Sequence, residues 1–333
     1  MTLRVAFIGI GHWHLPIYLE PVLGLDDVTV VGVSDPEPGR AREVADRLSC
    51  ASSTDFADLC ETTRPDFVFA LGRHCDMAEE ARYLIDSAIP FAMEKPCGIT
   101  HEEVRSLADL ASTKGAFAAV PFVLPGSDLE NEIQSRNPDR TFEYMSFKMI
   151  GRPVERYIEE RSPWMLDRDQ AGGGALINLG IHFIDWFRRL AGGDVRVTGS
   201  VLGNQVWHET IEDYVAVTLR GPSTLGVVET GYINPATNAY MDLHYSIRSR
   251  NRYFVVTSPR ELEISGEGLE TEKVAVGTTN ASYYRSFIRD VLDRVQRDQL
   301  PKTNIEDAAL AMELVEAAYQ LGGAASLAGR VAS

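Results

Sequence analysis

The sequence predicts two domains: an α/β unit on a doubly wound parallel sheet, then an α+β unit on a mainly antiparallel sheet. Three observations carry this. With 333 residues the chain exceeds what one core usually holds, about 250–300 residues. Up to residue 120, short apolar runs alternate with amphipathic stretches, the βαβ rhythm of a parallel sheet covered by helices on both faces. Beyond that point, strand-like runs follow one another with tight-turn residues between them.

In the first domain, placed at 1–121, Arg4–Ile8, Thr29–Ser34, Asp66–Ala70, Phe91–Met93 and Phe117–Val120 read as buried strands, being short and rich in Val, Ile, Phe and Ala. Leu15–Leu23, Gly39–Leu48, Asp76–Ser87 and His101–Thr113 read as the helices between them, the last led by Thr100 as N-cap with Glu103 in the capping-box position. Two prolines and a glycine within Pro121–Gly126 break the rhythm and set the boundary. The second domain, 122–302, opens with a strand over Thr141–Met149 and continues with Val195–Val201, Tyr214–Leu219, Leu225–Thr230, Met241–Ile247 and Tyr253–Thr257. Arg220-Gly221-Pro222-Ser223 and Ser258-Pro259-Arg260 are hairpin turns by composition. Helices are expected at Gly174–Leu190, Ser282–Arg297 and Ile305–Gln320, with the stretch 303–333 packing back on the first domain.

Composition narrows the function. The chain is 44% hydrophobic and 24% charged, which supplies a core and excludes a disordered or collagenous chain. A net charge of −16 repels polyanions, so neither nucleic acid nor an acidic membrane surface is an expected partner, and a small molecule is. No run approaches the roughly 20 apolar residues of a membrane span, and no leader pattern precedes the first strand, so the expected location is the cytoplasm. Cys50, Cys60, Cys75 and Cys97 lack disulfide-framework, zinc or redox spacing. His12 and His14 have no acidic or cysteine companion at ligand spacing, so no metal is expected.

Four segments carry chemistry. Gly9-Ile10-Gly11-His12-Trp13-His14 follows the first strand and matches the G-x-G-x-x-G dinucleotide fingerprint, with His14 in place of the third glycine. Its glycines admit a pyrophosphate to the helix N-terminus, although a plain strand-to-helix turn needs the same residues. Asp35 ends the second strand, where a carboxylate accepts from both ribose hydroxyls and repels a 2′-phosphate; this favours NAD over NADP, and Arg40 nearby blurs the preference. The same Asp also serves to start a turn before Pro36. Glu94-Lys95-Pro96 ends the fourth expected strand, and a lysine there faces the crevice where open α/β sheets bind ligands. Within the glycine-rich run that starts at Gly172, Asn178, His182 and Asp185 are spaced to share one helix face, with an imidazole able to exchange a proton near neutral pH.

The glycine motif, Glu94-Lys95-Pro96 and the segment ending in His182 and Asp185, in this order, closely resemble the Gfo/Idh/MocA oxidoreductases over nearly the whole chain. The resemblance implies a Rossmann domain, then a domain with a large open antiparallel sheet used for homodimer or homotetramer contacts. It also implies NAD(P)-dependent chemistry on sugars, cyclitols or polyols. In that pattern Lys95, Asn178 and His182 are the catalytic trio, with Asn178 where relatives carry Asp. Gly9, Gly11, His12, Trp13, His14, Asp35, Leu71, His74, Glu94 and Lys95 line the cofactor, and Arg161, Trp164 and Asp185 the substrate, with a plain packing role open for Trp164 and a helix-packing role open for Asp185. Two further segments depart from the family. Ala70-Leu71-Gly72-Arg73-His74-Cys75-Asp76 lacks the usual Thr-Pro pair, and Val120-Pro121-Phe122-Val123-Leu124-Pro125 lacks the usual polar residues. The expected reaction has His182 accepting a hydroxyl proton while Lys95 stabilises the alkoxide. Two alternatives stay open: a non-catalytic dinucleotide-binding sensor on the same fold, and a reductase of a non-sugar imine or enone that keeps the cofactor site without the proton relay.

Overall fold

The computed structural model describes residues 2–236 and 241–323. Its N-terminal half runs β1 (Leu3–Ile8), α1 (Leu15–Leu23), β2 (Val28–Ser34), α2 (Pro38–Leu48), β3 (Ala51–Ser53), α3 (Phe56–Thr63), β4 (Phe67–Ala70), α4 (Met77–Asp86), β5 (Phe91–Met93), α5 (His101–Lys114) and β6 (Ala118–Ala119). The strands form one six-stranded sheet in the order β3-β2-β1-β4-β5-β6, every pair parallel. The order reverses between β1 and β4, so the loops leaving them diverge and open a crevice at the carboxyl ends of the strands. The Thr100–Glu103 capping box forms as expected. β3 and α3 were not expected; β3 is three residues long and largely exposed, too short to show an apolar run. Glu94-Lys95-Pro96 therefore follows the fifth strand rather than the fourth.

The chain continues with α6 (Asp128–Arg136), β7 (Phe142–Ile150), α7 (Arg156–Glu159), a 3-10 turn at Pro163–Leu166, α8 (Arg168–Ala171), a π-helical turn at Leu176–Gly180 and α9 (Ile181–Ala191). Then come β8 (Arg196–Gly203), β9 (Tyr214–Arg220), β10 (Leu225–Gly231), β11 (Asp242–Ser249), β12 (Arg252–Ser258), β13 (Glu261–Gly266), β14 (Glu272–Ala275), α10 (Asn280–Gln296) and α11 (Ile305–Leu321). The eight strands form a second sheet in the order β14-β13-β12-β11-β7-β10-β9-β8. Both expected hairpins close, joining β9 to β10 and β12 to β13, and only β7 with β10 pairs in parallel. The last two strands of the sheet were not expected.

The apolar stripe of α9 covers this sheet. Phe183 and Trp186 stack on Phe147 of β7, with ring centroids 5.6 and 4.8 Å apart, and Tyr245 of β11 closes the cluster. One continuous core joins both sheets, while a second lies between the N-terminal sheet, α1 and α10. α10, within the range expected for the second domain, thus rests on α1, and α11 rests on α5, α9 and β8. Residues 324–333 of the expected C-terminal stretch lie outside the described residues.

The expected helix from Gly174 starts as the π turn, and its cause is local. The buried Glu212 carboxylate accepts the Gly174 and Leu176 amides at 2.9 Å each, together with the Tyr319 hydroxyl at 2.8 Å. An anion at the free N–H groups of a helix start is stabilising, and here it anchors a wider turn.

Candidate active site

Two cavities lie along the crevice. The first, about 210 Å³, is lined by Gly9, Gly11, Asp35, Arg40, Glu80 and Trp164. Gly9 has φ +64°, and a Cβ there would stand 2.4 Å from the Gly72 backbone, so the turn after β1 admits glycine alone. Asp35 accepts the Gly11 amide at 2.6 Å and the Glu37 amide at 3.0 Å, which fixes its carboxylate beside the glycine turn. Arg40 reaches the same carboxylate at 3.3 Å.

The second cavity, about 270 Å³, is lined by Trp13, His14, Lys95, Arg156, Asn178, His182 and Tyr284 among others. Lys95 is 1% exposed, and its Nζ donates to Asn178 Oδ1 at 2.5 Å and to the Asn178 carbonyl at 3.0 Å. Burial pulls its ammonium down to about 8, a value that leaves it able to gain or lose a proton in the physiological range. Asn178 is fixed in turn, its Nδ2 donating to Tyr157 at 2.7 Å and Tyr232 at 2.8 Å. His182 lines this cavity, and burial together with the Lys95 charge drives its imidazole down to about 3.

A connected set of rings joins the cavities: Trp13 to His14 at 3.7 Å, His14 to His12 at 4.9 Å, His12 to Trp164 at 5.5 Å and Trp164 to His74 at 5.0 Å. His12 Nδ1 accepts the His14 amide and His74 Nδ1 donates to the Ala171 carbonyl, so each tautomer is set. The buried His12 Nε2, Trp13 Nε1 and Trp164 Nε1 have no partner. Three unsatisfied donors between a glycine turn and a buried lysine suit the oxygens of a dinucleotide. The residues thus fit the nicotinamide cofactor.

Several expected site residues take other places. Leu71 is wholly buried, donating its amide to the Ile8 carbonyl, and supports the crevice from beneath. Arg161, expected at the sugar, is exposed on the Asp35 side and pairs with Glu43 and Glu37, because α7 carries it over α2. Trp164 lines the first cavity and not the second. Asp185 lies away from both: it pairs with Arg188 at 2.7 Å and Arg189 at 2.8 Å, and those arginines bind Asp307 of α11. Of the three residues expected to share one face, Asn178 and His182 line the second cavity together, whereas Asp185, three positions beyond His182 on α9, turns to Arg188 and Arg189.

Spatial proximity also corrects the expectation that His12 and His14 lack an acidic companion. Glu94 comes from β5, and one ligand atom from each of His12, His14 and Glu94 falls within 4.8 Å of the others. Glu94 Oε1 instead accepts His14 Nδ1 at 2.7 Å, Tyr18 at 2.9 Å and Tyr284 at 3.0 Å. Those bonds occupy Oε1, and the Lys95 ammonium nearby disfavours a second cation. Arg156 was missed as well; its guanidinium lies over Trp13, Tyr157 and Tyr232 at 5.4, 4.6 and 5.3 Å from the ring centroids. No motif announces it. Among the described residues, no helix is long and apolar enough to cross a membrane.

Comparison with known proteins agrees with this architecture. Residues 3–122 match the family described as "Oxidoreductase family, NAD-binding Rossmann fold", and residues 147–267 match "GFO/IDH/MocA C-terminal domain". A "D-xylose 1-dehydrogenase [NADP(+)]" of Haloarcula marismortui is 26% identical over 81% of this chain and 78% of that protein. A "D-glucoside 3-dehydrogenase" of Escherichia coli is 23% identical over 55% of this chain, which spans about half, 52%, of that relative. A levoglucosan dehydrogenase in complex with NADH and levoglucosan superposes with a TM-score of 0.83 at 17% identity, covering 97% of this chain and 98% of that one. The chain belongs to the GFO/IDH/MocA family of NAD-binding oxidoreductases.

Proposed function

We propose that the protein moves a hydride between a nicotinamide cofactor and a sugar, cyclitol or related polyol in the second cavity. The observation that carries this reading is the buried Lys95 Nζ, held by both oxygens of Asn178 at the meeting of the dinucleotide crevice and that cavity. The relatives named for D-glucosides and D-xylose support a carbohydrate substrate. Asp35 favours NAD over NADP, because its carboxylate offers acceptors to ribose hydroxyls and repels a 2′-phosphate.

The bound nicotinamide supplies the hydride acceptor. Lys95 hydrogen-bonds the reacting oxygen and stabilises its developing negative charge, and His182 stands as an acceptor for the hydroxyl proton. Asn178 fixes the ammonium without neutralising it. Trp13 and Phe183 give the cavity apolar walls against which a sugar ring packs. Assembly into a homodimer or homotetramer through the eight-stranded sheet belongs to the same proposal and is read by sedimentation velocity.

The deciding experiment is calorimetric titration with NADH and NADPH, followed by a turnover panel of D-glucosides, D-xylose, levoglucosan and inositols. Tighter NADH binding and turnover of one class, lost in Lys95→Ala, are expected. Nucleotide binding with no turnover across the panel favours the non-catalytic sensor, and binding of neither nucleotide rejects the reading.

A further inference from the structure

The pocket contains a second imidazole, and it is better placed than His182 to hold a positive charge. His14 occupies the position where the dinucleotide fingerprint usually has its third glycine, at the start of α1, and lines the second cavity. Its Nδ1 faces Glu94 Oε1 at 2.7 Å, and that oxygen also accepts from Tyr18 of α1 and Tyr284 of α10. A carboxylate is acceptor-only, so His14 carries its proton on Nδ1. Its buried Nε2 is then a bare lone pair, with no partner in the protein. His182 has no hydrogen-bonded carboxylate; its Nδ1 is unpartnered, and burial and then the Lys95 ammonium oppose its charge.

We propose that His14, oriented by Glu94, is a second proton acceptor of the catalytic pocket, taking the hydroxyl proton on Nε2 and holding it as an imidazolium against the Glu94 carboxylate. The proposal rests on the oxidoreductase reading and deepens it. The substrate O–H bond breaks with its proton going to His14 Nε2, the C–H pair leaves as hydride for the nicotinamide, and the carbon becomes a carbonyl.

The groups facing His14 set its pH behaviour. His12 and Trp13 adjoin it in the glycine loop, Tyr18 comes from its own helix, Glu94 and Lys95 from the end of β5, Arg156 from α7 and Tyr284 from α10. Burial lowers its affinity for a proton, Glu94 restores part of it, and Lys95 and Arg156 oppose. Burial also opposes the Glu94 charge, but His14 and Lys95 beside it hold its carboxyl well below the usual range. Glu94→Gln keeps an acceptor for Nδ1–H and removes the charge, so the acid limb of kcat/KM should move to lower pH while the plateau falls. Tyr284→Phe frees the carboxylate of one donor, strengthens its pull on the imidazolium, and should move that limb to higher pH. A merely structural role produces neither opposed shift.

The test has two readouts on the full chain. First, nitrogen-15 NMR of the histidines, without any ligand, should show His14 protonated on Nδ1 in the wild type and a mixed tautomer in Glu94→Gln; protonation on Nε2 in the wild type overturns the proposal. Second, with NAD⁺ and the sugar turned over best, His14→Gln should lower kcat about 100-fold or more, the scale of a lost general base, and remove the acid limb, whereas His182→Gln should lower turnover with that limb still present. Unchanged turnover in His14→Gln, or an acid limb that moves with His182 instead, also overturns it. If no sugar is turned over by the wild type, the substrate reading fails, and the tautomer measurement still decides the state of His14.

Discussion

Lys95 Nζ donates to two oxygens of one residue, the carbonyl and the side-chain amide of Asn178, at 3.0 and 2.5 Å. The contact spans 83 positions of sequence and gives the buried ammonium an uncharged partner. A neutral partner leaves the ammonium low, at about 8. In Asn178→Asp, the new carboxylate should raise the Lys95 value by about 1 unit or more. The basic limb of the kcat/KM profile should shift up by the same amount, measured between pH 6 and 10. Tyr157 and Tyr232 can turn their hydroxyls to donate to the new oxygens, so the fold should tolerate the change.

The proposed role of Asp35 in cofactor choice can be tested at its carboxylate. In Asp35→Ser the hydroxyl cannot replace a charged acceptor at both the Gly11 and Glu37 amides. A hydrogen bond to a charged group is worth about 1.5–3 kcal/mol, so NADH affinity should fall about 10-fold or more. NADPH affinity should rise relative to it, with Arg40 released from Asp35 to meet a phosphate. Calorimetry with both nucleotides reads the ratio.

Asp185 tests the boundary between site and scaffold. It is wholly buried and holds Arg188 and Arg189 against α11 through Asp307. Asp185→Asn should cost about 2–3 kcal/mol in urea unfolding, somewhat below the usual figure for a broken buried pair because Asp307 remains. Turnover by the folded fraction should be unchanged.

His74 and His182 are both driven down to about 3, chiefly by burial and then by Lys95, from the ordinary 6.5 of an unfolded chain. The folded state binds these protons less well than the unfolded state. Stability is therefore full above about pH 6.5 and falls as the pH drops from there toward 3. At pH 5 each imidazole should account for about 2 kcal/mol of loss. Urea midpoints at pH 7.5 and pH 5 should show the fall, and His74→Gln should flatten it.

What could be read in advance was whatever is local in the chain. Thr100 with Glu103, the glycine turn after β1 and the apolar runs of β1, β2 and β5 depend on neighbours a few residues apart, and all appear where periodicity and capping place them. β3 and the pair β13 and β14 escaped because short or half-exposed strands carry little apolar alternation. At the site, Lys95, Asn178 and His182 were legible by motif and do meet at one cavity. The partnership of His14 with Glu94, Tyr18 and Tyr284 was not, since its members come from three separate elements and up to 270 positions apart. Asp185 serves the helix-packing role that its spacing left open: its carboxylate holds Arg188 and Arg189, which bind Asp307 of α11, a pairing no local spacing reveals.

The N-terminal sheet is finished by a segment that lies 183 positions farther along the chain. β6 is tied to Thr303 and Asn304: Val120 donates to the Thr303 carbonyl at 3.1 Å, and Thr303 Oγ1 returns a bond to Val120 at 2.6 Å. α10 and α11 then cover α1 and α5. During synthesis the nucleotide half leaves the ribosome with two apolar flanks bare, and stays so until nearly two hundred further residues have followed. A fragment cut at residue 121 should behave as a sticky, expanded intermediate and should bind NADH poorly, whereas adding residues 280–323 in trans should restore both compactness and binding. Vectorial folding of this half is therefore a matter of waiting for α10 and α11.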